Sequence, residues 1–178
     1  MSFANDDTTA GERLTEKEAN NQGKYISEFL PDVLNMNDIK RRVRNLIVGM
    51  GNDQVYGHKG KILPTKNIKL NIAGNGIYTL LPKGITQEQL NDYVTEFIKE
   101  MVANGVTISE IRSGGQTGVD EAGIVAAQRL NIPASVHAPK GFLFRTAEGK
   151  DVSDRSVFES RFNQAAQPIQ QPAQANNL

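Results

Sequence analysis

The chain has 178 residues, enough for about one domain of ordinary size with extensions. Its 20 basic and 20 acidic side chains cancel, so no global field attracts nucleic acid or an anionic membrane, and nucleic acid is not an expected partner. The absence of cysteine excludes disulfides, thiolate metal sites and a cysteine nucleophile, and two histidines leave little from which to build a transition-metal site.

Residues 1–24 are polar and read as an N-terminal arm, because such a composition buries too little surface to offset the entropy of ordering. The polar start, with Asn5-Asp6-Asp7, does not read as a secretory leader. No apolar run approaches the ~20 residues of a membrane span, so a cytoplasmic location without membrane contact is expected.

Residues 25–67 are expected to form a helical and loop extension. Within it, Ile39, Val43, Leu46, Ile47 and Met50 follow helical spacing over 37–50, with Asn37 as N-cap. Lys40, Arg41, Arg42 and Arg44 lie largely off that stripe and read as a solvated basic face, with a phosphate or acidic contact as the alternative. Gly49 to Gly60 is turn-rich, and its His58 is assigned no role.

The main domain is expected over 68–162. Ile68, Leu70 and Ile72 alternate with polar residues and predict a strand. Asn75-Gly76 followed by extended residues predicts a β-hairpin; a glycine loop open to a ligand is the alternative. Thr86 and Gln89 form a capping box for a helix over 86–104, whose Leu90, Val94, Phe97, Ile98 and Met101 face the core. Asn104-Gly105 closes it.

Val106, Ile108 and Ile111 predict a strand that runs into Ser113-Gly114-Gly115-Gln116-Thr117-Gly118. A helix from Val119 to Leu130 follows, then a strand over 134–138. A strand, glycine loop, helix and strand in that order make a right-handed crossover to a parallel strand. Glycines let the backbone approach a ligand, and the first helical amides have no internal partner and favour an anion. Ser113 and Thr117 add hydroxyl donors. The plainer alternative is a tight turn capped by Thr117 or Asp120.

Downstream, Phe142 and Phe144 read as core on a strand, or as a clamp on a base together with Arg145. His137 reads as a strand histidine, and Asp151, Asp154 and Glu159 carry no metal-ligand spacing. Residues 163–178, rich in Gln and Asn and without a charged side chain, read as a C-terminal tail.

The run from Ser113 to Asp120, with Pro139-Lys140-Gly141 and Glu148-Gly149 after it, resembles the molybdenum-cofactor carrier family of the SLOG superfamily. The resemblance covers about residues 106–154. It implies an α/β, Rossmann-like domain with a mainly parallel sheet flanked by helices. It further implies a phosphorylated ligand, a nucleotide or a molybdopterin-like molecule, on residues 114–118. Lys140 and Gly141 match the family's second loop, and Asp120 matches the acidic residue after the first. In the related LOG-type phosphoribohydrolases, Glu121 falls where the catalytic glutamate stands.

Three functions are therefore expected in competition. The first is a binder that senses, carries or sequesters a nucleotide, with Ser113 to Gly118, Lys140, Gly141 and Arg145 as ligand contacts. The second is a phosphoribohydrolase using Asp120 and Glu121 as catalytic carboxylates. The third is a structural subunit that assembles as a homo-oligomer or larger complex through its arms.

Overall fold

The computed structural model describes residues 1–4, 13, 16–18, 21, 26–29, 34–48, 59–60 and 67–164. Most of the expected arm and turn-rich stretch, including His58, and the tail beyond 164 lie outside them. Among the described residues no helix is long and apolar enough to cross a membrane.

The architecture is mixed α/β, with a mostly parallel sheet and helices packed on it. Strands β1 (Ser2–Ala4), β2 (Ile26–Phe29), β3 (Lys59–Gly60) and β5 (Ala73–Gly74) lie in the order β3-β2-β1-β5. Strands β4 (Ile68–Asn71), β6 (Ile108–Ser113) and β7 (Ala134–Val136) lie in the order β4-β6-β7. Only Ile72 separates β4 from β5, and its amide bonds to the carbonyl of Arg112 while that of Ala73 bonds to Met1. The segment from Ile68 to Gly74 therefore joins the two groups, with β1 on one side and β6 on the other. Within these two groups of described strands all pairs are parallel except β2 with β3.

The first strand corrects the expectation of a coreless arm. Phe3 is fully buried, and its ring meets Phe97 edge-on at 5.1 Å. One large aromatic side chain inserted between neighbours outweighs the polar composition of the residues after it.

Helix α1 (Ile39–Val48) buries Ile39, Val43 and Leu46, as its spacing predicts. Its entrance differs: Asn35 caps a 3-10 turn over Met36–Asp38 by accepting from the Asn37 amide. Arg42, expected on a solvated face, is 7% exposed. A long side chain buries its stem along apolar surface more readily than composition alone conveys.

The expected hairpin at Asn75-Gly76 is instead a strand–turn–helix junction. A short helix α2 (Ile77–Leu80) starts directly after Gly76 and buries Ile77 and Leu80. Helix α3 (Gln87–Ala103) carries the predicted capping box, Thr86 with Gln89, and buries Leu90, Val94, Phe97, Ile98 and Met101, with Tyr93 besides. It packs along α4 (Val119–Arg129). Helix α4 approaches the sheet closely, since a Cβ on Gly123 would stand 2.7 Å from Ile72.

Beyond β7, strands β8 (Leu143–Arg145) and β9 (Asp151–Ser153) form an antiparallel hairpin. Helix α5 (Arg155–Gln164), absent from the sequence reading, follows. Ile124, Phe144, Phe158 and Phe162 make a second core beneath this hairpin. Phe144 is thus core on a strand, as its plainer reading had it. Phe142 lies in a 3-10 turn and meets Phe158 edge-on at 5.7 Å.

Candidate functional site

The glycine loop lies at the carboxyl end of β6 and feeds α4. Because β7 runs parallel to β6, the segment with Pro139-Lys140-Gly141 leaves the same edge of the sheet. The turn after β5 adjoins as well. The Val119 amide bonds to the Asn75 carbonyl, and a Cβ on Gly118 would meet that oxygen at 2.3 Å. Gly115 and Gly118 have φ of +76° and +89°, a region that side chains other than glycine rarely enter. A Cβ on Gly115 would also strike Phe158 and Val136 at 2.5 and 2.6 Å.

Most of the loop's polar groups are tied inside the protein. The Ser113 hydroxyl donates to the Asp120 carbonyl at 2.9 Å, and the Thr117 hydroxyl donates to the Arg145 carbonyl at 2.6 Å. In this structure both hydroxyls serve as braces within the protein. The Gln116 side-chain oxygen accepts from the amides of Thr117 and Arg145 at 3.0 and 2.7 Å. Gly118 supplies the N-cap of α4, in place of Thr117 or Asp120.

Two further braces come from residues that carried no motif signal. Gln87, first in α3, accepts from the Gly118 amide at 2.7 Å and donates to the Gly118 carbonyl at 2.9 Å. Arg161 in α5 donates to the Gly115 carbonyl at 3.0 Å. It also forks onto one oxygen of Glu121 at 2.6 and 2.9 Å, and both side chains are largely buried, at 13% and 15% exposed. Nothing local in sequence pairs a residue with a partner 40 positions away.

The two candidate carboxylates thus separate. Glu121 turns towards Arg161 and the aromatic cluster. Asp120 turns back over the loop, where its Oδ2 accepts from the Gln116 amide at 3.3 Å and would stand 2.7 Å from a Cβ on Gly114. Among the described residues, the amides of Gly114 and Gly115 have no protein acceptor. Gly114 is partly exposed and Gly115 is buried, and the next amide, that of Gln116, is held by a carboxylate oxygen.

Arg145 is fixed at its backbone by Gln116 and Thr117, and its guanidinium forks onto Asp151 at 2.7 and 3.1 Å. It also lies 5.2 Å over the Tyr78 ring. Hydrogen bonding to Asp151 raises the Arg145 pKa above its usual value, and the same bond lowers that of Asp151. In this structure the fork of Arg145, expected as a ligand contact, is taken by Asp151. Lys140 is exposed, and among the described residues no hydrogen bond or ion pair ties it to the loop; the Gly141 carbonyl accepts from Ser153 at 2.6 Å. His137 is exposed, with its amide on the Ser113 carbonyl.

Compared with family models, curated proteins and solved structures, the chain gives no significant match in any of them.

Proposed function

We propose that this chain is a Rossmann-like, SLOG-type domain that binds a phosphorylated small molecule, a nucleotide or a nucleotide-derived signal, on the loop from Gly114 to Gly118. The loop leaves the carboxyl end of the parallel strand β6, and open α/β sheets take their ligands along that edge. The observation that carries the proposal is the seat of Asp120: the loop already holds one oxyanion against the Gln116 amide. A phosphate oxygen is a similar acceptor, and the Gly114 amide, on a partly exposed residue with no protein acceptor among the described residues, adds a donor in the same loop. Binding moves the Asp120 carboxylate aside, and Lys140, leaving the same sheet edge, supplies positive charge.

A hydrolase is the second reading, and Asp120 is the observation that favours it, since it faces the loop while Glu121 is engaged by Arg161. Turnover of AMP that is lost in Asp120→Asn is the result that selects it.

The test is calorimetry and thermal shift with inorganic phosphate, AMP and ADP-ribose on the wild type and on Gly114→Asp. A Cβ at Gly114 meets only the end of the Asp120 side chain within 4 Å, at 2.7 Å, so this substitution requires that carboxylate to shift and places a second one in the loop; its melting temperature is measured alongside to check that it folds. At 100 times the dissociation constant, a ligand stabilises the fold by about 2.7 kcal/mol. Binding by the wild type that is lost in Gly114→Asp is expected. No binding by folded wild type, or equal binding by both, overturns the proposal.

A further inference from the structure

Arg161 makes its contacts from below the loop. Its Nη2 donates to the Gly115 carbonyl at 3.0 Å, and its guanidinium carbon lies 4.4 Å over the Phe144 ring, with Phe162 and Phe158 at 5.1 and 5.4 Å. Glu121 supplies the counter-charge, and the Arg161 Nη1 is buried without a hydrogen-bond partner among the described residues. A guanidinium so enclosed has few alternative positions, because leaving Glu121 strands two buried charges.

The consequence runs through one peptide plane. In a trans peptide the carbonyl of one residue and the amide of the next point in opposite directions. Arg161 draws the Gly115 carbonyl down towards the aromatic core, so the Gln116 N–H is turned up to the face of the loop where the Asp120 carboxylate sits. Gly115, at φ +76°, has the backbone freedom to let that plane rotate if the bond is removed.

We infer that Arg161 is a positioning residue of the anion site: through the Gly115 carbonyl it sets the direction of the Gln116 amide, and it touches no ligand itself. This rests on the binding function proposed above. It also gives α5 a role, since the helix carries the residue that orients a loop some 46 positions earlier in the chain.

The test uses the full chain, with inorganic phosphate and AMP as probes. Arg161→Met keeps an unbranched apolar stem but no donor, and Arg161→Lys restores one donor. Arg129→Met is the matched control. It breaks another partly buried ion pair of α4, with Asp92 at 2.7 Å, and has no bond to the loop. Arg161→Met is expected to weaken both probes about tenfold, the weight of one hydrogen bond in an equilibrium constant. Arg161→Lys should recover part of the loss, and Arg129→Met should lower the melting temperature without changing affinity. Wild-type affinity in Arg161→Met, or an equal loss in Arg129→Met, overturns the inference while leaving the binding function standing. A wild type that binds neither probe overturns both. If Arg161→Met does not fold, amide resonances decide. Phosphate should shift Gln116 in the wild type and shift it less in Arg161→Lys, and an unchanged shift in that variant counts against the inference.

Discussion

The hydroxyl of Thr117 donates to the carbonyl of Arg145 at 2.6 Å, which ties the glycine loop to a hairpin 28 residues further along the chain. With the Arg145 amide on the Gln116 side chain, the bond makes one unit of the loop and β8. Thr117 is buried, so Thr117→Val leaves the Arg145 carbonyl without its partner and should cost about 1–3 kcal/mol. Thr117→Ser keeps the hydroxyl and should recover most of that loss. Urea denaturation of both variants measures the difference.

Adjacent glycines should respond unequally. Gly115→Ala meets Phe158 and Val136 at a positive φ, so it combines a packing clash with backbone strain. A cost of about 2–5 kcal/mol is expected from the two together. Gly114→Ala meets only the movable end of Asp120 and should be much milder. Thermal unfolding of the pair tests the order; equal stability would place the loop differently.

Asp120→Asn separates the two functional readings. In a binder it removes a negative charge from the anion's seat, and phosphate affinity should rise about fivefold, matching about 1 kcal/mol between unit charges 4 Å apart in water. In a hydrolase the same substitution abolishes turnover. Titration with inorganic phosphate and an AMP-hydrolysis assay, run on one preparation, read both outcomes.

Acid should weaken the fold through Glu110. Hydrogen bonds from Arg112 and then Ser135 bring its pKa from 4.5 down to about 2. A carboxylate depressed on folding contributes stability that is complete above its unfolded value and is lost as pH falls from about 4.5 towards 2. Glu110→Gln should flatten the stability profile in that window and leave it unchanged in shape near neutrality. Chemical denaturation across pH 2 to 6 checks it.

Phe3→Ala should cost about 3–5 kcal/mol, the range for truncating a buried aromatic. A polar arm without a core would lose almost nothing. The midpoint of denaturant unfolding distinguishes the two.

Local signals carried the elements of the domain well where one stretch of chain decides the matter. The apolar stripe from Leu90 to Met101 and the reciprocal bonds of Thr86 and Gln89 lie within a few turns of one helix. The glycines between β6 and α4 likewise announce a turn that needs positive φ. The misreadings fell where distant partners choose. Asn75-Gly76 has the local chemistry of a hairpin, yet a helix starts directly after Gly76 and buries Ile77 and Leu80. Phe3 stands alone in a polar stretch, and its strand forms because β2 and β5 flank it.

That a glycine loop joins a strand to a helix is legible from neighbouring residues, because φ preference and apolar periodicity are local properties. What each polar group of that loop does depends on contacts with segments far along the chain. Ser113, Thr117 and Gln116 became braces because β8 and α4 arrive with acceptors and donors in reach. Asp120 and Glu121, neighbours in sequence, parted because adjacent positions on a helix point about 100° apart. One carboxylate met the loop's amide and the other met Arg161, and only the packing of α5 beneath the loop brings that guanidinium within reach.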